Sequence, residues 1–249
     1  MQERWPTVQA TYYRPRGASA AQPVPAAVIV HHLGGSIEPE AYIGKHLATH
    51  GVAALFVRLP NYGDRREPET KQGFLRFGPE VAFGGFRQGV LDVIRAADVL
   101  RSMPEVDPNR VGAVGVSLGA FVTAVARGVD PRLRRTVLVL GGGDLARMFR
   151  ELPEGAEVLA EYGVDPASLP VLLAPVDPLT FADRVSPADV LMLNARNDEI
   201  VPVDAAESLW RALGKPEIRW FNCGHYGVVL HLPRILNLAL DHLRGRSAL

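Results

Sequence analysis

The chain has 249 residues with 27 basic and 27 acidic side chains, so it carries no formal net charge. That balance, with arginines scattered along the chain, excludes the basic surface that nucleic acid or an acidic membrane would require. An apolar fraction of 47% is ample for one large α/β core over residues 1–249, and a lone Cys223 forbids an internal disulfide, which fits a reducing, cytoplasmic setting.

In chain order, residues 1–6 lack the apolar core of a secretory signal, and Pro or charged residues interrupt every apolar run before it reaches membrane-span length. Residues 8–14 read as an edge strand and 26–30 as a buried strand ending in His31-His32-Leu33-Gly34-Gly35. A helix is predicted over 39–50, with Ile43 and Leu47 four apart on one face and Gly51 as its stop. Residues 52–59 form the next buried strand, followed by a polar, turn-rich loop. Residues 69–84 are irregular, with Phe74, Phe77 and Phe83 among glycines, and a helix over about 85–103 ends before Pro104 and Pro108. Strands are predicted at 111–116, 135–140, 190–193 and 218–221, with helices at 118–126, 204–213 and 230–243. Residues 144–187 read as an insertion or small lid carrying short helical pieces at 145–152 and 156–162. Apolar strands alternating with helices imply a mostly parallel sheet covered on both faces. Ligands of such sheets bind beyond the carboxyl ends of the strands.

At one such end stands Gly115-Val116-Ser117-Leu118-Gly119, a G-x-S-x-G turn between strand and helix. This turn doubles back so sharply that a Cβ at either glycine would collide with a neighbour, and it exposes the serine hydroxyl above the sheet. The N–H groups at the start of the following helix lack intrahelical partners and can receive developing negative charge.

A serine hydroxyl needs a base, and the base needs a group to hold its tautomer. After the strand at 190–193 comes Asn194-Ala195-Arg196-Asn197-Asp198-Glu199-Ile200-Val201-Pro202, and after that at 218–221 comes Asn222-Cys223-Gly224-His225. Serine, acid and histidine thus follow one another in the order of strand-built hydrolases. Over nearly its whole length the chain resembles the α/β-hydrolase superfamily. The acid segment matches the family's acid loop except that Ala195 stands where Gly is usual, and Gly224-His225 matches its histidine loop. The resemblance implies a carboxylesterase in which Ser117 is the nucleophile, His225 the general base and then acid, and Asp198 the orienting carboxylate. Glu199, Asp204 and Asp144 compete with Asp198 for the last role. A peptidase or acyltransferase on the same triad, or a binding protein that keeps the fold without turnover, is the alternative. A serine at the elbow, in place of Cys or Asp, argues against the dienelactone-hydrolase and haloalkane-dehalogenase branches.

The oxyanion hole should combine the N–H of Leu118 with one from the early loop. That loop resembles the family's His-Gly-x-Gly type, with His32 where glycine is common, and Leu33 is the expected donor. Substrate contacts are expected from His32, Tyr62 and Phe86. The histidine pair also has a structural reading, in which one ring hydrogen-bonds across the loop. Tyr62 with Arg65 and Arg66 could meet a polar substrate group, and the phenylalanines with the insertion could wall an apolar acyl pocket. No metal-ligand spacing and no dinucleotide fingerprint is present, so no metal or cofactor is expected. The expected partner is a small-molecule ester.

Overall fold

A computed structural model describes residues 7–34, 38–65, 79–151 and 155–246. Seven strands build one sheet in the order β1-β3-β2-β4-β5-β6-β7. They are β1 (Ala10–Tyr13), β2 (Val24–Val30), β3 (Ala53–Val57), β4 (Val106–Val116), β5 (Thr136–Val139), β6 (Val190–Ala195) and β7 (Glu217–Phe221). Only β1 runs antiparallel, at the edge against β3; the remaining pairings are parallel.

The helices are α1 (Glu38–Thr49), α2 (Pro79–Ser102), α3 (Leu118–Val129), α4 (Leu145–Glu151), α5 (Gly155–Glu161), α6 (Leu169–Leu173), α7 (Val203–Ala212) and α8 (Leu232–Arg244). Successive strand residues face opposite sides, and the core divides accordingly. Ala27, Ile29, Ala54, Phe56 and Val114 pack with Ile43 and Leu47 of α1 and Leu236, Leu240 and Leu243 of α8. Val28, Val30, Leu55, Val57 and Ala113 pack on the other face with Val93 and Leu100 of α2 and Val122 of α3. Helix α3 is buried on almost every side because the segment Pro178–Arg184 covers its outer flank. At Gly128 an added Cβ would sit 2.4 Å from Phe181. The largely apolar sequence of α3 follows from that enclosure, and its one charged residue, the buried Arg127, pairs with Asp189 at 2.9 Å.

Several boundaries differ from those the sequence suggests, and helix α2 begins at Pro79, inside the stretch read as irregular. Strand β4 begins at Val106 and so contains Pro108. The proline is tolerated because the β2–β4 register shifts between Val24 and Ala26, leaving residues 108–110 exposed outside the regular ladder. The closing helix starts at Leu232, with Pro233 in its first turn, after a 3₁₀ segment Tyr226–His231. Phe74, Phe77, Gly35 and Arg66 lie outside the described residues. No helix among the described residues is long and apolar enough to cross a membrane.

Candidate active site

The strand–turn–helix unit at Ser117 is fixed by sterics. A Cβ on Gly115 would lie 2.2 Å from the Gly119 carbonyl oxygen, and one on Gly119 would lie 2.3 Å from that of Val30. Both glycines are therefore required by close backbone approach. Between them Ser117 is held at φ 51°, ψ −115°, a costly conformation for a residue with a Cβ. Its N–H donates to the Val139 carbonyl at 2.8 Å, which anchors the strained residue to β5. Leu118 opens α3, so its N–H has no carbonyl one turn earlier to accept it.

The acid and histidine loops are tied together by backbone. Arg196 N–H donates to Phe221 O at 2.8 Å, and Asn197 N–H donates to Cys223 O at 3.0 Å, extending the β6–β7 ladder past both strands. That extension brings Asp198 beside His225. Asp198 Oδ1 accepts the N–H groups of Ile200 at 2.9 Å and Val201 at 2.8 Å. His225 Nδ1 lies 2.9 Å from each carboxylate oxygen, and its Nε2 lies 3.1 Å from Ser117 Oγ. A carboxylate only accepts, so Nδ1 carries the proton and Nε2 is free to accept from the hydroxyl. All three residues are buried, which strengthens these interactions relative to water.

The other acids are engaged elsewhere. Glu199 is turned toward Gly224, where an added Cβ would meet its Oε2 at 2.8 Å. Asp204 pairs with Arg147, and Asp144 Oδ1 accepts the Arg147 N–H. Burial pushes the Cys223 thiol upward, with the Asp198 charge adding to the effect, so the thiol stays protonated and a poor nucleophile.

The loop after β2 is held by its two histidines. His31 is fully buried; its Nδ1 donates to the His32 carbonyl at 2.7 Å and its Nε2 accepts the Leu59 N–H at 3.1 Å. Burial holds its imidazole below the ordinary value, so it stays neutral. His32 points to Glu40, whose Oε1 lies 2.6 Å from Nδ1 and accepts the His32 N–H at 3.1 Å. The hydrogen bond to Glu40 raises His32 above its ordinary value. Glu40, wholly buried at the start of α1, was not legible as a site residue: nothing in its sequence neighbourhood separates it from Glu38.

Beside Ser117 opens a cavity of about 270 Å³. Leu33, Leu118, Phe83, Phe86 and Phe121 line it with residues of α4, α5 and α6. Of the expected substrate contacts, Phe86 lines the cavity; His32 and Tyr62 are not among its lining residues. His32 is spent on Glu40, and Tyr62 is buried edge-on to the His31 ring at 4.5 Å, so both serve the loop's architecture. Arg65 is likewise buried, 2.8 Å from Asp92. Asp177 is a second residue the sequence does not flag. Its carboxylate accepts the N–H groups of Asp144, Leu145 and Leu179, clipping the two ends of the 144–177 segment together. No group of side chains among the described residues could hold a metal ion.

A model of the dienelactone hydrolase family matches residues 8–225. The chain belongs to the dienelactone hydrolase family. This overturns the expectation that a serine at the elbow sets it apart from that branch. The family pattern spans most of the chain, whereas oxygen in place of sulfur changes one atom at position 117. That family lies within the α/β-hydrolase superfamily. Solved structures share its fold. The acetyl xylan esterase from Paenibacillus sp. R4 is 22% identical with a TM-score of 0.74, covering 94% of this chain and 79% of that one. The acylaminoacyl peptidase of Pyrococcus horikoshii is 18% identical at a TM-score of 0.73, covering 97% and 41%. The ferulic-acid-bound Est1E from Butyrivibrio proteoclasticus is 14% identical at 0.64, covering 95% of both chains. Among curated relatives, the uncharacterized protein YdjC of Bacillus subtilis (strain 168) is 31% identical over 70 residues, 28% of this chain and 60% of that protein. The uncharacterized protein Rv2627c of Mycobacterium tuberculosis (strain ATCC 25618 / H37Rv) is 25% identical over 194 residues, 74% of this chain and 45% of that protein. The matches thus span about half the length of these relatives.

Proposed function

We propose that the chain is a carboxylic ester hydrolase that works through an acyl-enzyme on Ser117. The observation that carries the reading is the continuous hydrogen-bonded line from Ser117 Oγ through the His225 ring to the Asp198 carboxylate. In this scheme His225 Nε2 takes the hydroxyl proton as Oγ attacks the ester carbonyl, and Asp198 stabilises the imidazolium. The oxyanion is received by the N–H groups of Leu118 and Leu33; one such donor is worth about 2.7–4 kcal/mol in the transition state. His225 then gives its proton to the leaving alcohol, and water repeats the sequence to free the acid. Glu40 acts through His32, holding the backbone that presents Leu33. A small-molecule ester is the partner, and a cytoplasmic setting belongs to the same proposal.

The test is a fluorophosphonate probe followed by peptide mapping, alongside hydrolysis of p-nitrophenyl butyrate. Ser117 should carry the label, and Ser117→Ala should lose both label and turnover. Label on another residue, or equal turnover by Ser117→Ala, would overturn the scheme.

A further inference from the structure

The cavity beside Ser117 has walls of one chemical kind. Among the described residues that line it, the only polar side chains are Ser117 and Tyr162, and none is charged. One wall comes from α2 and α3, through Phe83, Phe86 and Phe121, and the other from α4–α6, through Leu145, Met148 and Leu173. Its position relative to the reacting groups decides which half of an ester it can hold. The lining includes Leu118 and Leu33 but not His225. The histidine must protonate the leaving alcohol, so the alcohol lies on the His225 side and the acyl group on the other. On the His225 side the surface is open: the Tyr226 ring stands edge-on to the imidazole at 5.6 Å and is itself 75% exposed.

We infer that the cavity is an acyl-chain pocket selecting esters of apolar, medium-chain monocarboxylic acids, with little selection on the alcohol. This rests on the triad scheme above and adds the substrate class to it. An apolar protein cavity of about 150 Å³ accepts a six-carbon ring, so 270 Å³ corresponds to an acyl chain of roughly six to ten carbons. A second carboxylate or a sugar-like acyl group would be buried there without a partner and is rejected.

The experiment is a panel of p-nitrophenyl esters from acetate to palmitate, with the hemisuccinate as the charged comparison and fluorophosphonate labelling run in parallel. kcat/KM should rise about fourfold per added methylene, peak at roughly six to ten carbons, and fall beyond. The hemisuccinate should run about tenfold or more below butyrate. Replacing the alcohol of the best ester by methanol or 1-naphthol should leave the acyl ranking in place. Ala82, a lining residue on α2 that is only partly buried, offers a second measurement: Ala82→Phe should move the peak to shorter chains with the melting temperature retained. A flat or acetate-peaked panel with Ser117 labelled would overturn the pocket while leaving the triad scheme standing. No turnover of any ester and no label on Ser117 would remove the triad scheme itself.

Discussion

Asp198→Asn isolates what the buried carboxylate does. In the native site Oδ1 already accepts two backbone N–H groups, from Ile200 and Val201. An asparagine must keep its carbonyl oxygen there, because an amide nitrogen facing two N–H donors would leave three donors without an acceptor. Its NH2 therefore lands where Oδ2 stands, so Nδ1, 2.9 Å from both positions, meets a donor beside a carbonyl oxygen that already accepts two N–H groups. Facing a donor, Nδ1 gives up its proton to Nε2, and Nε2 can no longer accept from Ser117. In serine proteases the corresponding tautomer error costs about 10⁴ in kcat, roughly 5.5 kcal/mol at about 1.4 kcal/mol per decade.

The same loss is expected here in kcat with p-nitrophenyl butyrate. The melting temperature should shift by less than about 3 °C, because both backbone bonds survive. Asp198→Ala is the counterpart. It orphans two N–H groups, at a cost of about 1–3 kcal/mol each, and should lower stability and activity together. A kcat for Asp198→Asn within tenfold of wild type, in a protein that melts normally, would refute the claim that Asp198 sets the tautomer.

Three further outcomes are expected. Asp177→Ala leaves three N–H groups unpaired, at about 1 kcal/mol each, so differential scanning calorimetry should show the melting temperature down by roughly 6–10 °C; no shift would mean the 144–177 segment does not depend on that clip. Glu40→Ala should lower kcat about tenfold or more with KM little changed, by releasing the Leu33 donor, and Glu40→Gln should recover most of it, since its carbonyl can still accept the His32 N–H; a pure KM effect would count against the positioning role. His31 and His242 both sit below their ordinary value through burial, so for these two groups the unfolded chain binds the protons first and their contribution to stability falls as pH drops below about 6.5, against the opposite contribution of His32, which sits above its ordinary value. His242→Gln, remote from the triad, should flatten the melting-temperature slope between about pH 5 and 6.5, and an unchanged slope would assign the acid loss elsewhere.

What could be read from the sequence tracks how local the physics is. Gly115 and Gly119 announce the elbow because the collisions that require them, at 2.2 and 2.3 Å, belong to one tight turn. Choosing Asp198 over Glu199 is local in the same way. A short carboxylate can accept the N–H groups two and three residues ahead, and Asp198 does so. Glu40 and the reach of Asp177 to Asp144 and Leu145 could not be found by such reasoning, since those partners come from other turns of the chain and the burial arises only on folding. His32 and Tyr62 stay out of the cavity lining for a related reason. Lying past the end of a strand places a residue near the mouth, but the loop's path decides whether its side chain faces a ligand or the loop itself.

The site therefore rests on two supports of different kinds. Ser117, Asp198 and His225 hang from extensions of the sheet: Ser117 N–H on Val139, Arg196 N–H on Phe221 and Asn197 N–H on Cys223. Displacing any of them means breaking backbone hydrogen bonds that continue the sheet. The far wall of the cavity has no such ladder. It is three short helices held by apolar contact and by the Asp177 clip. Helices of five to seven residues do not stand alone in water. Substitutions in that wall should thus alter which acyl groups are accepted well before they alter the chemistry at Ser117. Loss of Asp177 should depress turnover of octanoate more than of acetate. Equal depression of both would place the insertion's influence on the triad rather than on the pocket.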